Sequence, residues 1–150
     1  MDLELVQAVI ERDWAAFAAQ SARLGLGAPT RAGTSIFVPV QPPGSAEEFL
    51  AVLSCDDYDV IAPLLDFADP GNPVSRGGAY WPRIAGAPMN SIVYAGVTMP
   101  IVCTPGTRGY HLHSSHAAEN WPASTWRLPK VASLLWRFTH RMGTYQGRGL

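Results

Sequence analysis

A chain of 150 residues, 47% of them hydrophobic, carries enough apolar material for one sizeable core. Its formal net charge of −1 gives no overall attraction for nucleic acid, and no stretch approaches the roughly 20 consecutive apolar residues of a membrane helix. Asp2 and Glu4 stand where a secretory leader would be basic, and two cysteines 48 positions apart make no disulfide framework, so a cytoplasmic protein with reduced thiols is expected.

The charges are divided unevenly. Residues 1–70 hold eleven acids and three bases, whereas residues 71–150 hold one acid and eight bases. If the halves stay apart in space, the molecule has an acidic and a basic side suited to charged protein partners; if they intermix, the dipole largely cancels.

In chain order, residues 2–20 read as a first helix. Asp2 suits the N-cap, and Leu3, Val6, Ile10, Trp14 and Phe17 recur at helical spacing. Gly25, Gly27 and Pro29 end it. Residues 35–40 predict a short strand, at an edge because of Pro39. Pro42-Pro43-Gly44-Ser45 turns the chain into a buried strand over 48–55, which places Cys55 in the core. Asp56, Asp57 and Asp59 read as a solvated corner rather than a carboxylate cluster for a metal, and residues 60–67 as a third strand closed by Asp69-Pro70-Gly71. Residues 71–90 show no regular element and predict a long loop. Residues 91–95 and 97–102 supply the last strand material.

A carboxy-terminal helix then follows Trp126, with Pro129 in its first turn and Leu128, Val131, Leu134, Leu135 and Phe138 as its core stripe. Gly143 stops it. His140 in its last turn would complement the helix dipole, and residues 144–150 read as a frayed, flexible tail. The five tryptophans read as core or interface anchors. The expected architecture is α+β: one domain over residues 1–143, an antiparallel meander of about four strands flanked by N- and C-terminal helices.

Chemistry concentrates between Pro100 and Trp121. This stretch holds Cys103, His111, His113, His116 and Glu119, the only acid after Asp69. An apolar lead-in brings Cys103 to a strand end, and a Thr-Pro-Gly-Thr turn follows. Cys103 is therefore expected at a sheet edge beside residues 110–120. His111 and His113 would point the same way from an extended segment; His113, His116 and Glu119 would share a face of a helix. Thiolate, imidazole and carboxylate are zinc ligands, so Cys103, His111, His113, His116 and Glu119 form a candidate metal set. The same histidines could instead relay protons or simply lie at the surface. Tyr110 could donate to a substrate oxyanion or pack beside the site.

Phe49–Phe67, FLAVLSCDDYDVIAPLLDF, resembles a segment of the ubiquitin-conjugating enzymes, where a strand enters a Tyr-containing corner and a Pro-preceded strand ends in Phe. Pro100-Ile-Val-Cys103, then Asn120-Trp121-Pro122-Ala123-Ser124, then an apolar-striped helix, is similar to that family's order of catalytic cysteine, Trp, Pro and helix. Pro88-Met89-Asn90 stands in place of the family's His-Pro-Asn, and the Cys103–Trp121 interval is longer than in eukaryotic members. The chain thus looks like a divergent, prokaryotic-type member, or one of the RWD-like relatives that have lost conjugation.

The resemblance implies a bacterial ubiquitin-like pathway in which Cys103 carries a modifier as a thioester, received from an activating enzyme, with His111 or His113 tuning the thiol. The Cys/His/Glu set also resembles, more weakly, a predicted metal-binding family associated with bacterial ubiquitin-like gene clusters. That likeness implies a zinc protein of the same fold, structural or hydrolytic. A non-catalytic RWD-like adaptor is the third expectation.

Overall fold

The computed structural model describes residues 2–58, 60–113 and 127–150. Asp2 accepts from the backbone N–H groups of Glu4 (2.8 Å) and Leu5 (3.3 Å) and opens helix α1, Leu3–Arg23. It thereby satisfies two of the N–H groups that a helix start leaves unbonded. Val6, Ile10 and Phe17 are fully buried. Leu3 stays in solvent, and Trp14 is half-buried with the Arg31 guanidinium 5.4 Å from its ring centroid.

Five antiparallel strands follow as a meander: β1 (Thr30–Ala32), β2 (Ser35–Val40), β3 (Phe49–Ser54), β4 (Leu64–Asp69) and β5 (Asn72–Arg76). In β2, Ile36, Val38 and Val40 point into the main core. β3 is apolar on both faces. Phe49, Ala51 and Leu53 join the main core, while Leu50 and Val52 meet Ala68 and Phe37 in a smaller cluster. Pro39 does not mark a free edge strand, because β2 lies between β1 and β3. Pro39 is tolerated because β1 pairs only with Ser35–Phe37; beyond it the Pro39 carbonyl accepts from Gly27 N–H (2.8 Å), so the missing donor faces away from β3.

The third strand begins later than its apolar run suggests. Val60 and Ile61 donate their N–H groups to Asp57 O (both 2.9 Å) in a turn and stand in solvent, and β4 starts after Pro63. The expected loop over 71–90 is largely structured: it contains β5, a 3₁₀ turn at Gly78–Tyr80, and β6 (Pro82–Ala85). β6 pairs with β9 (Thr144–Arg148), so the expected frayed tail is a strand instead. Arg83 donates to the carbonyls of Gly149 (3.2 Å) and Gln146 (2.8 Å), and Arg148 and Tyr145 reach the Glu47 carboxylate (3.2 and 2.9 Å).

Helix α3 comes before that strand and spans Leu128–His140; the short helix that precedes α3 in sequence and the last hairpin belong to the site below. Its Leu128, Val131, Leu135 and Phe138 share the main core with α1 and the sheet, around an aromatic centre in which Trp81 packs 4.9 Å from Phe67 and 5.9 Å from Phe138, ring to ring. The fold is α+β with N- and C-terminal helices on a five-stranded antiparallel sheet.

A polar knot ties α1 to the start of α3. Asp13 is 5% exposed and accepts from Tyr58 Oη (2.7 Å), Arg127 Nη2 (2.8 Å) and Arg12 Nη2 (2.9 Å). Tyr58 Oη in turn accepts from Leu128 N–H (2.9 Å), an otherwise orphaned donor of α3. Arg127–Asp13 and Arg148–Glu47 each pair a base of the second half with an acid of the first, so here the halves intermix. Among the described residues, no helix is long and apolar enough to cross a membrane.

Candidate functional site

Strands β7 (Met89–Tyr94) and β8 (Val97–Val102) form a hairpin that delivers Cys103. Its two-residue turn has positive φ at Ala95 (49°) and Gly96 (78°), the combination that matches the twist of paired strands. Ile92, Met99 and Ile101 are buried on one face, with Cys103, Leu64 and Tyr94 packed against them. Cys103 follows the base of the hairpin directly, is half-buried, and donates its N–H to Pro88 O at 2.6 Å. It does stand at the end of a strand; that strand belongs to the two-stranded hairpin rather than the main sheet.

After the turn at 104–107 comes the short helix α2, Arg108–Leu112. Gly109 lets it lie directly on β8, since a Cβ there would fall 2.5 Å from Ile101 Cγ2. The Arg108 N–H donates to Pro63 O (2.8 Å), fixing the other side of α2 to the lead-in of β4. His111 lies in α2 with its ring edge-on to Tyr110, centroids 5.1 Å apart. His113 follows α2, and its N–H donates to Gly109 O (3.2 Å) and Tyr110 O (3.3 Å). Tyr110 itself is buried.

Residues 103–113 thus fold as one clamped unit, but they are not a complete metal centre. Among the described residues, no three His, Cys, Asp or Glu side chains form a group able to hold a metal. Cys103, His111 and His113 therefore do not make a ligand triad by themselves. His116, Glu119 and the Asn120-Trp121-Pro122 order lie outside the described residues.

The other cysteine is a different environment. Cys55 is fully buried just after β3, its thiol 3.7 Å from Leu53 O. Burial pushes the thiol up to about 12, although the Arg108 charge acts in the opposite direction. His140 lies in the last turn of α3. Burial and the neighbouring Arg141 lower its pKa while hydrogen bonding raises it, and its ring stacks on Trp136 with centroids 5.4 Å apart. Asp56 accepts from Thr34 Oγ1 (2.7 Å) in an exposed corner.

Sequence reasoning missed two polar side chains. Tyr58 reads as part of an acidic corner yet is the buried link between Asp13 and α3. Arg108, to which the sequence pattern assigns no role, is 6% exposed. Its only sequence signal is isolation, since no other Lys or Arg occurs between Arg83 and Arg127. Against known proteins, the chain matches no family model, and a search of curated sequences gives no significant match.

Proposed function

We propose that the protein is a ubiquitin-conjugating-enzyme-like carrier of a bacterial ubiquitin-like pathway, holding the modifier as a thioester on Cys103. The observation that supports this is the division between the two thiols. One is sealed in the core and held protonated; the other is half-buried at a strand end, on a segment clamped by Gly109 and Pro63. A carrier needs a fixed, reachable sulfur.

The Cys103 thiolate attacks the carbonyl carbon of the modifier's thioester on the activating enzyme. A new C–S bond forms, and the activating enzyme's cysteine leaves as a thiolate with the electron pair. An acceptor amine later attacks the same carbon and loses a proton, and Cys103 is released as thiolate. His111 or His113 takes the thiol proton in the first step.

Incubation with an activating enzyme, its modifier and ATP should give an adduct that reductant removes. Cys103→Ser should abolish it or leave a reductant-resistant oxyester, and Cys55→Ser should leave it intact. A metal-free protein on which Cys103 takes no modifier would sink the carrier reading and leave the RWD-like adaptor. Close to one zinc per chain, lost in Cys103→Ser and His116→Ala, would replace it with the metal reading, because a thiolate held by zinc is a poor acyl acceptor.

A further inference from the structure

We propose that Arg108 forms the floor of a binding site for a compact oxyanion, a phosphate or carboxylate group, beside the Tyr94 hydroxyl of the β7–β8 hairpin. The guanidinium is 6% exposed. Its Nε donates to Ala62 O (3.1 Å) and its Nη1 to Tyr94 Oη (3.0 Å), while Nη2 is buried with no hydrogen-bond partner. Among the described residues, no carboxylate pairs with it. A buried positive charge without a counter-charge is costly, and two unused N–H bonds on Nη2 add to that cost. An oxyanion removes both deficits at once, because guanidinium N–H geometry matches carboxylate and phosphate oxygens.

Tyr94 supplies a second donor. Its hydroxyl accepts from Arg108 and donates to no described residue, so its proton is free to point at the same anion. The residue is half-buried and sits beside the hairpin turn. Nothing in this arrangement uses Cys103, although that residue packs on the same Ile92, Met99 and Ile101 cluster as Tyr94. The inference therefore stands whether or not Cys103 carries a modifier.

The test uses the intact chain, melted in sodium phosphate, sodium acetate and sodium chloride at matched ionic strength. Wild-type protein should gain about 4 °C at roughly ten times the dissociation constant, in a saturable manner, with one oxyanion and not with chloride. A gain with phosphate alone assigns a phosphate-type ligand; a gain with acetate assigns a carboxylate. Arg108→Lys keeps the charge, loses the fork and should lose the gain, whereas Arg137→Gln, an exposed base elsewhere, should retain it. Tyr94→Phe should move the phosphate midpoint to higher concentration, which keeps the test open if Arg108→Lys does not fold. No saturable gain with either oxyanion, an equal gain in Arg108→Lys, or an unmoved midpoint in Tyr94→Phe overturns the proposal.

Discussion

Tyr58→Phe tests the polar knot that places α3. The substitution keeps the ring and removes one oxygen, which donates to Asp13 (2.7 Å) and accepts from Leu128 N–H (2.9 Å). The first loss removes one of the donors around a buried carboxylate; the second leaves a helix-start N–H buried without an acceptor. Together they should cost about 2–3 kcal/mol, or about 5–10 °C in melting temperature for a chain of this size. Asp13 gives an independent check through pH. Burial pushes its carboxyl up, but hydrogen bonds from Arg12, Tyr58 and Arg127 outweigh that and hold it at about 2, below the ordinary 3.8. A carboxyl lowered on folding stabilises fully above its unfolded pKa, and that share is lost as pH falls through the folded value. The shift corresponds to about 2 kcal/mol, lost between pH 3.8 and about 2. Chemical denaturation across that window should show a steep acid limb in wild type and a shallower one in Asp13→Asn. A Tyr58→Phe protein melting within about 1 °C of wild type, or an unchanged acid limb in Asp13→Asn, would refute the knot's energetic role.

Under native conditions at pH 8, a thiol reagent should modify Cys103 well before Cys55, because burial holds the Cys55 thiol protonated and none of it is exposed; mass spectrometry of the first adduct decides, and prior labelling of Cys55 would reverse the site assignment. Gly109→Ala should destabilise by about 1–3 kcal/mol, since its methyl group must displace Ile101 or lift α2 off β8; an unaltered urea midpoint would contradict that contact. Ala95→Asn should stabilise by about 0.5–1 kcal/mol, because Ala95 holds φ at 49° in a hairpin turn that favours Asn before Gly; a lowered melting temperature would argue against this turn.

What the sequence made legible is what local periodicity encodes. The Asp2 cap, the Val6-Ile10-Phe17 stripe, β2 within residues 35–40, β3 within 48–55 and the α3 stripe all rest on contacts that repeat at fixed spacing along one element. The failures share a different cause. β5 is a mostly exposed edge strand without alternation, and β6 has a partner about sixty residues away, so neither leaves a period to read. Both contain prolines that signal loop, yet Pro82 is the first residue of β6 and Pro73 lies on an edge, the places a strand accepts one. Val60 and Ile61 mislead in the other direction: apolar residues next to a strand read as part of it, although the turn to Asp57 holds them in solvent.

The site was legible to the extent that it is written as residue types. A Cys at a strand end followed by a Gly-containing turn is a local pattern, and the hairpin and α2 hold Cys103 where that pattern places it. What residue types do not encode is which groups share a space. His111 and His113 sit on and just after a short helix instead of an extended segment, so the two-apart spacing no longer aligns their side chains. Arg108, a long flexible cation that composition assigns to the surface, is instead drawn inside because a carbonyl at Ala62 and a hydroxyl at Tyr94 meet it there. The two features make separable demands on one small region. The sulfur at the base of the hairpin can serve an acyl group or a metal, but not both. The Arg108 guanidinium, buried and without a carboxylate partner among the described residues, makes the proposed demand for an oxyanion in either case.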